Sequence, residues 1–209
     1  DIFFCIIILS IFIQVLIWFW FNICIIIKYT FLRSLFFISF WCICNILFGK
    51  NNIASGDSSG VSAGTGNTAS ALNSGVSAGS GNVASGEYSG VSAGASNVAS
   101  GQNSGVSSGY YNRASGNFSG VSAGFGNEAA GNYSTIGGGG GALEADWNTV
   151  TGDYSGISAG SGNTVDGDYS GVSAGHSNHA EGEYSGVSAG YNNHAEGGSS
   201  GVSAGHSNH

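Results

Sequence analysis

The residues of this chain best suited to chemistry crowd its end. All five histidines, His176, His179, His194, His206 and His209, fall in the last part of the sequence. His179 stands two residues before Glu181, and His194 two residues before Glu196. Residues two apart share a face in an extended strand. If strands stack, His194 then lies above His179 in a column of imidazoles beside a column of carboxylates. Such a column could hold a divalent transition metal, or titrate near neutrality as a switch. The plainer reading is a solvated face on which His–Glu pairs are tolerated, because the spacing matches no established ligand motif. No metal or other cofactor is therefore expected, with His179, Glu181, His194 and Glu196 as the ligands should one bind.

Aromatic residues form a second group. Tyr88, Phe118, Tyr133, Tyr154, Tyr169 and Tyr184 occupy equivalent positions, as expected of columns that seal a turn or a subunit interface. Tyr110, Tyr111, Phe125 and Tyr191 occupy another position where few units are aromatic, and are better candidates for exposed contacts. Trp147 is the only tryptophan beyond residue 50 and follows Glu144 and Asp146. An aromatic with two acids on a loop is a contact site on one reading. On the other, Trp147 covers an insertion tolerated at a turn. No catalytic constellation is present. Serine is abundant without a Gly-x-Ser-x-Gly elbow between strand and helix. Gly137–Gly141 lacks the Gly-Lys-Ser/Thr of a phosphate loop, so no enzyme is expected.

What must position these side chains is a repeat. Ser59-Gly60-Val61-Ser62-Ala63-Gly64 returns as Ser74–Gly79, Ser89–Gly94, Ser104–Gly109, Ser119–Gly124, Ser155–Gly160, Ser170–Gly175, Ser185–Gly190 and Ser200–Gly205, with single changes at Ser108 and Ile157. An asparagine keeps the same 15-residue step from Asn52 to Asn127 and from Asn148 to Asn208. Units this short cannot bury a core alone and must stack. Alternation around Ser62 places Val61 and Ala63 on one face and Gly60, Ser62 and Gly64 on the other. Around Ala69 it places Asn67 and Ala69 opposite Thr68 and Ser70. Each unit thus reads as two short strands with turns near Thr65-Gly66 and Gly86-Glu87-Tyr88. The expected fold is all-β: a parallel β-solenoid, or β-roll, of about eleven 15-residue coils.

In such a stack the asparagines form a buried amide ladder or serve as turn residues. The register slips once, where six extra residues fall at about 140–145. Roughly one Val and two Ala per coil make a thin core against the entropy of ordering the coil, so self-association is expected. A disordered Gly/Ser tract would not need the strict phase of the asparagines.

Composition divides the chain near Gly49. Residues 1–50 form an apolar leader, and residues 51–209 the repeat domain. Ile2 to Ile27 is long enough to cross a membrane as a helix, and Ser34 to Phe48 is shorter. Lys28 and Arg33 between them would stay cytoplasmic, which puts the repeats outside. The competing reading is translated non-coding sequence, which fits the Ile, Phe, Tyr, Asn and Lys bias and the absence of methionine. With no methionine and a stop within a repeat at His209, the chain reads as a piece open at both ends. All four cysteines lie in the leader, so the repeats form no disulfide. Beyond residue 50, Arg113 is the only basic residue, whereas Asp1 is the only one of the 12 acids outside that region. That balance argues against nucleic-acid binding.

Ala84-Ser85-Gly86-Glu87-Tyr88-Ser89-Gly90-Val91-Ser92-Ala93-Gly94 and Gly167-Asp168-Tyr169-Ser170-Gly171-Val172-Ser173-Ala174-Gly175 resemble the head repeats of trimeric autotransporter adhesins, a likeness that covers about residues 52–209. The resemblance implies a trimeric β-roll displayed on the outer membrane of Gram-negative bacteria, binding host matrix or other cells. The chain departs from that family in showing no coiled-coil stalk, neck or C-terminal barrel. It also has Val-Ser-Ala where many head repeats have Val-Ala-Ile. The expected function is a cell-surface adhesin head, a homotrimer with an extracellular ligand and a membrane attachment through the leader or a further anchor. Candidate contacts are Trp147, Tyr110, Tyr111, Phe125, Tyr191, Glu144 and Asp146. The alternatives are a structural filament without a specific ligand, and an ice-binding solenoid presenting Ser62, Ser77, Ser92, Ser107 and Ser122 as a flat array.

Overall fold

A strand of two residues exists only because its neighbours repeat it. In the computed structural model, which describes residues 45–46 and 49–209, every strand is two residues long and pairs in parallel with its equivalents in adjacent coils. Gly60–Val61 pairs with Gly75–Val76, and Thr68–Ala69 with Val83–Ala84. Two sheets result among the described residues. One has 11 strands, from Asn45–Ile46 to Gly201–Val202; the other has 10, from Ile53–Ala54 to His194–Ala195. A third ladder of single parallel bridges runs down the remaining edge through Lys50, Thr65, Ser80, Ala95, Tyr110, Phe125 and Gly140. It continues through Ser161, His176, Tyr191 and His206. The described residues form a parallel β-solenoid of about ten coils, one fewer than the asparagine count suggests. Residues 1–44 and 47–48 of the leader, and with them the expected membrane helices, lie outside the described residues, whereas Asn45–Ile46 and Lys50 already pair with the first coils of the stack. Among the described residues no helix is long and apolar enough to cross a membrane.

Four side chains per coil point inward: Ser59, Val61, Asn67 and Ala69 in one unit and their equivalents in the others. Ala63 is not among them. The chain bends after Ser62, and Ala63 sits half-buried at the corner. Val and Ala supply the apolar core, with Ile136 and Ile157 in two Val positions. Half of the interior positions are therefore polar, and hydrogen bonding decides whether they can be there.

The asparagines meet that condition as a ladder. Asn82 Oδ1 accepts the backbone N–H of Asn97 at 3.0 Å, while Asn82 Nδ2 donates to the carbonyls of Ala78 and Gly94 at 3.0 and 2.9 Å. The amide is held on both sides and the same arrangement recurs coil after coil. From Asn112 onward the side chains also bond one another, as in Asn127 Nδ2 to Asn112 Oδ1 at 3.0 Å. The left-handed turn position is instead filled by the residue before the asparagine, such as Ser96 (φ 55°) or Tyr111 (φ 56°), except at Asn148, where Trp147 of the insertion is extended (φ −69°). Coils approach so closely at the Ser-Ala-Gly corner that only glycine fits. A Cβ on Gly94 would lie 2.1 Å from the carbonyl oxygen of Gly109, at a φ of 94° that already disfavours other residues.

The insertion leaves this stack intact. Glu128 pairs with Thr149 and Thr135 with Gly156, each 21 residues apart. Asn148 Nδ2 reaches Asn127 Oδ1 at 3.0 Å across the same gap. The extra chain leaves after Gly140, which bridges Phe125. It makes one 3-10 turn at Glu144–Asp146 and rejoins where the Asp146 carbonyl accepts Gly162 N–H at 2.8 Å. The additional residues are thus confined to the third edge of the coil.

Candidate functional site

The third edge gathers the aromatic candidates because its bridge position and the left-handed residue after it both point outward. Tyr110 and Tyr111 are consecutive there, and Phe125 is one coil on. Their rings meet at centroid distances of 4.3 Å (Tyr110–Tyr111), 5.1 Å (Tyr110–Phe125) and 6.0 Å (Tyr111–Phe125). Hydrogen bonding to Tyr111, and then its charge, hold the Tyr110 phenol above its ordinary value. Trp147 completes the corner. The insertion returns it to the position just before Asn148, and its indole lies over Gly126, where a Cβ would meet indole Nε1 at 2.0 Å. Gly126 is buried as a result, and the indole N–H is itself enclosed without a hydrogen-bond partner. The indole covers the turn at Gly126, the residue after Phe125, as the reading of Trp147 as a cover for the insertion expects.

The two acids of the insertion differ. Glu144 is exposed, whereas Asp146 is half-buried with its side chain against Gly141. Tyr191 is not brought to this corner. It lies further along the same edge, stacked between His176 and His206 at 5.2 and 4.9 Å. The site candidates therefore divide into one assembled corner (Tyr110, Tyr111, Phe125, Trp147, with the Glu144–Asp146 turn beside it) and one separate stack.

A second aromatic column stands at the other turn. Phe118, Tyr133, Tyr154, Tyr169 and Tyr184 stack face to face, with centroids 4.7 to 5.1 Å apart and planes within 12°. All five adopt a left-handed backbone, φ 55° to 57°, a conformation that costs a bulky residue on the order of 1 kcal/mol or more. Ring stacking contributes a similar amount per pair and offsets it. Sequence reasoning aligned these residues but missed their backbone. The signal was available: Asn73 and Asn103 fill the same position, and asparagine marks left-handed turns. The rings remain about half exposed (46–58%) along their edges. Packing between neighbouring rings, then the charges of Tyr133, Tyr169 and Asp153, raise the Tyr154 phenol.

The histidine column forms on the outer face of the 10-stranded sheet. His179 and His194 stack at 4.7 Å and 5°. Nε2 of His179 lies 2.8 Å from Asp166 Oδ2, and Nε2 of His194 lies 2.8 Å from Glu181 Oε2. Asp166 was missed as a partner because the pairing is diagonal, 13 residues apart. Further along the face Arg113 pairs with Glu128 at 3.3 Å.

The outer face of the 11-stranded sheet is a shallow trough of about 1140 Å³, with a floor of glycines such as Gly105 and Gly171 and serines such as Ser107 and Ser173 beside them. Thr135 interrupts that floor where the other strands lining the trough have glycine. Buried serines, a column that sequence reasoning overlooked, close the turns instead: Ser74 Oγ donates to the Ala71 carbonyl at 2.8 Å, and Ser119 Oγ to that of Gly116 at 2.7 Å. No protein-family model matches the chain, and no curated protein matches it.

Proposed function

We propose that the repeat region is the head of a cell-surface adhesin, a rigid β-solenoid that presents an aromatic corner to host matrix or another cell. The observation that carries this reading is the convergence of Tyr110, Tyr111, Phe125 and Trp147 on one edge of a scaffold otherwise made of Gly, Ser, Ala and Asn. Rings on a backbone pinned by coil-to-coil hydrogen bonds lose little freedom on binding, and aromatic anchors dominate the energy of protein interfaces. The Glu144–Asp146 turn adds acids beside the corner and suits a partner with cationic groups. Self-association as a trimer, and display at the outer membrane, rest on the likeness of the repeats to trimeric autotransporter heads. Neither a catalytic role nor nucleic-acid binding is part of this reading.

The trough along the 11-stranded sheet favours a second reading, in which copies pack side by side into a structural filament. The two differ in whether outward aromatics matter. Binding of the chain to arrays of matrix proteins and glycans should fall by about tenfold or more when Tyr110 and Tyr111 are replaced by Ser, the effect of losing roughly 1.4 kcal/mol of anchor energy. Equal binding by wild type and variant, or none by either, would favour the filament.

A further inference from the structure

We propose that His179, Glu181 and His194 form a binding site for a transition-metal dication, zinc foremost. One nitrogen from each imidazole and one Glu181 oxygen lie within 4.8 Å of one another. The placement follows from the fold. His179 and His194 occupy paired positions in adjacent strands, which stacks their rings and directs both Nε2 atoms toward the same column of acids. Nε2 of His194 already faces Glu181 Oε2 at 2.8 Å, so a dication replaces the proton shared between them. Tetrahedral zinc holds N and O ligands at about 2.0–2.2 Å, so its ligand atoms stand roughly 3.4 Å apart. Half-exposed side chains close a gap of 4.8 Å by rotation about their own bonds, without moving the ladder beneath. Asp166 adds a second carboxylate, 2.8 Å from His179 Nε2, and Thr151 Oγ1 holds its other oxygen. Two imidazoles with carboxylates favour zinc, copper or nickel over calcium or magnesium, which prefer oxygen alone. The triplet recurs one coil on as His194, Glu196 and His209, but there the rings meet edge-on at 5.8 Å. The first triplet is the assembled one.

The test is calorimetric titration of zinc chloride into the full 209-residue chain in detergent, with the four cysteines alkylated so that thiols do not compete. One saturable site is expected. His179→Ala and His194→Ala should each weaken it by about tenfold or more, and Glu181→Gln should weaken it as well. His206→Ala and Glu183→Gln, which lie outside the triplet, should leave it unchanged. All these side chains point outward from the core, and an unchanged far-UV spectrum confirms the fold of each variant. As a check that needs no variant, copper(II) added below stoichiometry should broaden the imidazole proton resonances of His179 and His194 before those of His176. The absence of saturable zinc binding, equal affinity in His194→Ala, or broadening of all histidines together would overturn the proposal.

Discussion

Replacing Asn97 with alanine should remove a large part of the stability of the repeat region. Asn97 is fully buried. Its Oδ1 accepts the N–H of Asn112 at 3.0 Å, and its Nδ2 donates to the carbonyls of Ala93 at 3.1 Å and Gly109 at 2.8 Å. Gly109 keeps a second donor, the N–H of Ala95 at 3.0 Å, so its loss is mild. The Asn112 N–H is buried and loses its acceptor, at a cost of about 1–3 kcal/mol, and each forfeited amide bond adds about 1 kcal/mol. The expected total is roughly 3–5 kcal/mol, a substantial share of the stability of an ordinary domain. Because each coil contacts only its neighbours, the damage should be felt first at the Asn82–Asn112 coils. Urea unfolding of residues 45–209, followed by far-UV dichroism, should show the midpoint falling by about 1–3 M with little change in slope. Ser92→Ala, on the exposed outer face of the same coil, should change stability by less than about 0.5 kcal/mol. A loss below about 1 kcal/mol in Asn97→Ala would refute the ladder as the element that holds the coils.

Gly126→Ala should displace the indole of Trp147, since the new Cβ would lie within 2.0–2.4 Å of three indole atoms at a φ of 71°; in residues 45–209, where Trp147 is the sole tryptophan, the emission should shift to the red, and an unchanged spectrum would place the indole elsewhere. The Tyr154 phenol, raised by packing between rings and by its charged neighbours, should ionise above the usual value near 10. A folded-state pKa above the unfolded one means that this stabilisation is complete below about pH 10 and is lost as pH rises through the folded value; the phenolate absorbance difference between wild type and Tyr154→Phe measures it, and a midpoint at or below 10 would contradict it.

The period made the solenoid legible, because a 15-residue step with alternation leaves few ways to bury Val61 and its equivalents. The role of the asparagines was not legible. Asn is suited both to left-handed turns and to amide ladders, and only the path of the backbone shows that Ser96 or Tyr111 takes the turn while Asn97 or Asn112 goes inside. Columns along the stack could be aligned by counting, which brought His194 over His179 and Tyr169 over Tyr154. Diagonal contacts could not, so the pairing of His179 with Asp166 went unseen. The corner at Trp147 was hidden for another reason: residues 141–145 follow no period, so nothing in the spacing says that the indole returns to Gly126. Tyr191, alike in type to Tyr110, was grouped with the corner although the same periodicity places it several coils away.

Sedimentation equilibrium of residues 45–209, with a far-UV spectrum of the same sample, tests the rigid, self-associating rod most directly. A β-rich spectrum at three times the mass of one copy is the predicted result, since the thin Val and Ala core calls for self-association and the likeness of the repeats to trimeric autotransporter heads gives the number. A β-rich monomer would contradict self-association, and a random-coil spectrum would contradict the solenoid itself.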